Sequence, residues 1–167
     1  MNEERGTALL EFALVLPVLV LLLLGMVDFG KAFAMSIDET HLANQTARYA
    51  AVNGAAVACT PNPCLESQME NQADTQELKD SFGAPGCGDG FGICVCFPSG
   101  GAGAKGTAVK VVVIGQTQFF NFLFGIVPGL DGAGKKTLRA SSTMRIEQAY
   151  NTSDATKNTY TALPTCP

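Results

Sequence analysis

The sequence predicts an α+β protein: a long N-terminal transmembrane and amphipathic helix, followed by a disulfide-stabilised head with a small three-to-four-stranded antiparallel sheet. Three observations predict it. A nearly unbroken apolar run fills Thr7 to Val27, and short segments of the C-terminal half alternate apolar and polar residues. All six cysteines (Cys59, Cys64, Cys87, Cys94, Cys96 and Cys166) follow the apolar run, in a stretch dense in Gly, Pro, Ser and Asn. A chain of 167 residues with a membrane or targeting segment at its start leaves one small domain. The expected organisation is a polar leader at 1–6, a membrane helix at 7–27, its outward continuation at 28–58 and a Cys-rich head at 59–167.

The 21 residues from Thr7 to Val27 carry one charge, Glu11, and span about 31 Å as a helix, one hydrocarbon core. The 14 Leu, Val and Phe residues between Leu9 and Val27, at roughly −0.3 to −0.6 kcal/mol each, offset an ionisable side chain costing on the order of +3 kcal/mol. Insertion survives Glu11 but does not explain it. An ionisable group at membrane depth calls for a partner. Pro17 is tolerated in such a helix, where it can introduce a kink. Ala32-Phe33-Ala34 offers an alternative, a signal-peptidase site releasing a secreted Cys-rich binding module. The apolar run is long for a signal core, and the leader has two acids where positive charge is expected.

Beyond the membrane the helix continues. At about 100° per residue, Phe29, Phe33, Thr40, Ala47, Ala51 and Ala58 fall in one sector and define an inner face, with Lys31, Asp38 and Gln45 opposite. Pro61 and Pro63 end it. The spacing of Leu65, Met69, Ala73, Leu78 and Phe82 predicts a short surface helix over 65–82, whose acids Glu66, Glu70, Asp74, Glu77 and Asp80 form a solvated face. Strands are predicted at Ile93–Phe97, Ala108–Gly115 and Lys136–Gln148. The apolar cluster Phe119–Leu130 is too short to cross a bilayer and is expected to pack in the core or a loop, the alternative being the membrane surface or a neighbour. The tail from Asn151 is polar.

A formal charge of −4 and a pI near 4.9, with no basic stripe, exclude a nucleic-acid binder. "GLDGAGKKT" lacks the Ser or Thr that a phosphate loop needs directly after its Lys. The cysteines favour disulfides over zinc, because no C-x2-C pair exists and His41, the single histidine, lies on the helix. Cys59 with Cys64 is the easiest local pair. Cys94 and Cys96 share a strand face and would take separate partners among Cys87 and Cys166, with roughly 15 connectivities open to six cysteines. Each bond would contribute roughly 2 to 4 kcal/mol. No catalytic constellation or cofactor motif is visible, although a bitopic enzyme or sensor is a third class to weigh.

The polar leader ending in Arg5-Gly6, followed by Thr7 to Leu10, Glu11-Phe12 and an unbroken apolar helix, resembles the processing site of type IV pilins. "RGTALLEFALVLPVLVLLLLGMVDFGKAFA", the later "ANQTARYAAVNGAA" and the late "LRASSTMRIE" narrow this to the TadE-like minor pilins, or pseudopilins, of tight-adherence (Flp) pili. The resemblance covers the N-terminal ~55 residues and about Ala108 to Glu147. It implies cleavage between Gly6 and Thr7 by a prepilin peptidase, and roles in pilus assembly and surface adhesion. It also implies a single-pass topology in a bacterial inner membrane, with a cytoplasmic N-terminus and a periplasmic head. The implied partners are the lipid bilayer, the inner-membrane assembly platform and other pilin-like subunits. Glu11, beside Phe12, then sits where the family's acid faces the new N-terminal amine of a neighbouring subunit. Opposite charges in a low-dielectric core reward only the correct stagger. The acidic leader departs from the basic leaders expected of the family.

Overall fold

The structure, a computed structural model, describes residues 3–52, 69–82, 91–98, 105–119 and 134–147. Helix α1 (Glu3–Val52) runs 50 residues without interruption through Pro17. A short helix α2 (Gln76–Ser81) follows, then strands β1 (Gly92–Cys96), β2 (Ala108–Gln118) and β3 (Lys135–Arg145). The strands form one antiparallel sheet in the order β1-β2-β3, with Val113 opposite both Ile93 and Ala140. The α+β expectation therefore holds for the helix and a three-stranded sheet.

Two faces of the sheet have different fates. Val109, Val111, Val113 and Gly115 of β2 share the helix-facing side with Ile93 and Val95 of β1 and Leu138, Ala140 and Met144 of β3. On the other side, Cys94 clusters with Val112 and Ile114, and Phe91 packs against them. Burial on both faces makes β2 a nearly continuous apolar run, the composition expected of a central strand. β3, one of the two edge strands, keeps the alternation predicted for it, with Thr137, Arg139, Ser141, Thr143 and Arg145 outward. Relative to the predicted boundaries, β2 runs three residues further and β3 ends at Arg145, where Ile146 instead exchanges backbone bonds with Gly106 and Thr107.

The head packs on the outer half of α1 along two neighbouring i, i+4 rows. Met35, Glu39, Ala43, Ala47 and Ala51 form one; Asp38, Leu42, Thr46 and Ala50 form the other, and all nine are buried. Such rows are inclined to the helix axis by roughly 26°, so the sheet crosses the stem obliquely. This corrects the inner face expected from the sequence. Ala47 and Ala51 are indeed inside, but Phe29 and Phe33 are 73% and 70% exposed, Thr40 is exposed, and Asp38 is buried instead of facing solvent. Small side chains at 43, 47, 50 and 51 let the sheet approach closely, which bulky phenylalanines would prevent.

The helix predicted over 65–82 is also corrected. A turn at 71–72 separates Met69 and Glu70 from α2, although Met69, Ala73 and Leu78 face inward as expected and Phe82 is half-buried. The break ends at Thr75, the N-cap of α2. Its hydroxyl makes no cap bond to α2 and reaches a carboxylate of the stem instead. The proposed helix stop at Pro61 and Pro63, the apolar cluster after Phe119, the tail, and Cys59, Cys64, Cys87 and Cys166 lie outside the described residues.

Candidate functional site

The stem has two halves with different surroundings. From Gly6 to Val27 the side chains are almost all exposed, including Phe12 at 62%, and nothing of the head covers them. Among the described residues this is the one helix long and apolar enough to cross a membrane, Gly6–Val52. Its 47 residues would extend about 70 Å, more than twice a hydrocarbon core. The outer half is covered on one side by the head, with Met35, Asp38, Glu39, Leu42 and Ala43 buried beneath it. Phe29, Phe33 and Ile37, an exposed i, i+4, i+8 row, carry the apolar surface past Val27 on a side the head leaves open.

Gly6 and Thr7 sit in the first turns of α1 and are exposed, as is Glu11 one turn further on. A Cβ at Gly6 would meet nothing within 4 Å. The fold therefore gives no packing reason for glycine at this position.

At the stem–head junction, carboxylates do the connecting. Asp38 Oδ1 accepts the Asp74 N–H at 3.1 Å, and Oδ2 accepts the Thr75 N–H at 2.8 Å and the Thr75 hydroxyl at 2.7 Å. Glu77 of α2 reaches the sheet in the same manner, its Oε1 accepting the Thr117 hydroxyl at 2.8 Å and the Gln118 N–H at 3.1 Å. α2 is thus pinned on one side to α1 and on the other to β2, with Leu78 fully buried between them. Glu77 is consequently not part of a purely solvated face. Glu70 departs from that expectation too: burial raises its pKa, and a backbone bond from Ile93 opposes the rise.

Among the described residues Glu39 is the most deeply placed acid, 1% exposed, packed where Gly115 of β2 meets the stem. The Gly115 N–H donates to its carboxylate, and Oε1 has no hydrogen-bond partner. Burial pushes its pKa up to about 7, with a smaller upward contribution from the neighbouring Asp38 charge and an opposing one from the Gly115 N–H. A Cβ on Gly115 would come within 2.6 Å of Glu39 Oε1, Leu78 Cδ1 and Met35 Cε, so a side chain there would have to displace the ends of all three.

Of the cysteines, Cys94 and Cys96 are described, both buried on β1 on the side away from the stem. This agrees with their expected shared strand face. An open polar cleft between α2 and the sheet is lined by Gln76, Glu77, Asp80, Gln116, Gln118 and Lys135, and the described residues contain no cluster of three metal-ligating side chains.

Against known families, residues 6–56 match the model of the TadE-like proteins. The stem is TadE-like. The match spans the bare apolar half and the head-packed half of α1 together, and it stops before the head. The resemblance seen in the sequence over Ala108 to Glu147 is not part of it. No curated protein and no solved structure matches the chain. The similarity to TadE-like proteins is thus one of the stem, whose long apolar helix fits a membrane anchor.

Sequence reasoning located Glu11, Phe12, Gly6 and Thr7 on this stem but missed the junction residues Asp38, Glu39, Glu77, Gly115 and Thr117. A usable signal was present. Asp38-Glu39 is the one pair of adjacent acids in the stem beyond the polar leader.

Proposed function

We propose that this protein is a minor pilin or pseudopilin of a tight-adherence pilus. It is held in the bacterial inner membrane by residues 7–27, with its N-terminus cytoplasmic and its disulfide-bonded head outside. A prepilin peptidase cuts between Gly6 and Thr7. Glu11, with Phe12 beside it, then meets the new amine of a neighbouring pilin-like subunit at the assembly platform and sets the stagger of the packed stems. The protein acts as a structural component in assembly and surface adhesion, not as an enzyme.

The observation that carries this reading is the division of the TadE-like helix into a bare apolar half bearing an exposed Glu11 and an outer half covered by the head. A lone chain makes no use of an acid on its lipid-facing surface, whereas a bundle of such helices does. The unconstrained Gly6 supports the same reading, since processing rather than packing then accounts for it. Glu11→Gln should insert into the membrane normally and lose pilus assembly, measured by membrane fractionation and by counting surface pili. Normal pili from that variant would refute the stagger role.

A further inference from the structure

We propose that Glu39 makes the stem–head contact a pH-sensitive latch, closed when its carboxyl is neutral and loosened when it ionises. The inference goes beyond the pilus reading and does not depend on it. Its basis is geometric. The carboxyl is buried against Gly115 of β2, Oε1 is buried with no hydrogen-bond partner, and Leu78 Cδ1 and Met35 Cε crowd the same spot. A neutral acid tolerates such a site, while a carboxylate with one oxygen unsatisfied does not.

The charged groups around it do not relieve this. From the stem, Asp38 adds like charge. From α2, Glu77 adds another acid, committed to Thr117 and Gln118, and Lys79 is half-buried on the same short helix. β1 presents only apolar and cysteine side chains, and β2 contributes the Gly115 N–H alone. From β3, Lys136 stands two pairs along the sheet, opposite Thr117, whereas Leu138 is the residue paired with Gly115.

The direction follows from linkage. The folded-state pKa is about 7 against an ordinary 4.5, so between these values the folded head holds a proton that the opened one has released. Stability is therefore full below about 4.5, falls as pH rises through the window, and is lowest above about 7. The opening constant rises at most about tenfold per pH unit within it.

The test uses the full chain in nanodiscs. Head unfolding followed from pH 5 to pH 8 should show wild-type stability falling with pH and Glu39→Gln flat across the same range. As controls, His41→Asn, at an exposed position of the stem, and Glu70→Gln should each retain the Glu39-dependent fall. Should Glu39→Gln fail to fold, the Gly115 amide resonance of the wild type reports directly, because its N–H binds the carboxyl, and it should titrate with a midpoint near 7. A Glu39→Gln variant that keeps the wild-type pH slope, or a Gly115 amide that does not move between pH 5 and 8, would overturn the latch.

Discussion

Replacing Asp38 with alanine removes the acceptor of three hydrogen bonds that hold Asp74 and Thr75 to the stem. A bond to a charged group contributes on the order of 1.5 to 3 kcal/mol. The three do not add, since they share one carboxylate and Thr75 supplies two of the donors. Asp74 is exposed and Thr75 only half-buried, so water replaces part of what is lost. The expected net cost is about 2 kcal/mol, roughly 30-fold in the local opening constant. It should be concentrated in residues 74–82, because the β2–β3 pairing does not involve Asp38. Hydrogen exchange read by mass spectrometry on the full chain would show faster exchange across α2, with the β2 and β3 amides little changed. Asp38→Asn, which keeps one acceptor oxygen, should lose less. Exchange in α2 unchanged by Asp38→Ala, or increased equally over the sheet, would refute the clamp.

Two further substitutions test the packing. Gly115→Ala forces Met35, Glu39 and Leu78 apart, and overpacking of this kind should cost about 1 to 3 kcal/mol, read as a lower thermal midpoint. Phe33→Ser, at a side chain 70% exposed, should change head stability by less than about 0.5 kcal/mol in the same melt; a loss of 2 kcal/mol or more would restore Phe33 to the inner face assigned from periodicity.

The elements were legible because each has a strong local signature. A 21-residue apolar run yields a helix whatever its surroundings, and the outward residues Arg139, Ser141 and Thr143 of β3 alternate with inward Leu138, Ala140 and Ser142 as an edge strand requires. The facing of α1 was not legible. Apolar side chains occur all round it, so the largest ones, Phe29 and Phe33, pulled the assignment toward the side that the head leaves open. The true inner rows contain Asp38, Glu39 and Thr46, which look polar and outward in isolation. Thr46 is satisfied by the Leu42 carbonyl one turn back, and Asp38 by Thr75, 37 residues downstream. A helical wheel contains neither the distant partner nor the small-residue requirement set by an approaching sheet. Glu11 is the converse case. Its oddity was plain in the sequence, and a single chain supplies no partner contact to explain it.

The central claim is that this stem is processed and used as a pilin stem, and the mature N-terminus tests it most directly. Mass spectrometry of protein purified from the native membrane should find a chain beginning at Thr7. A chain beginning at Met35 would mean a secreted head, and an intact Met1 a plain anchored protein; either result would contradict the account.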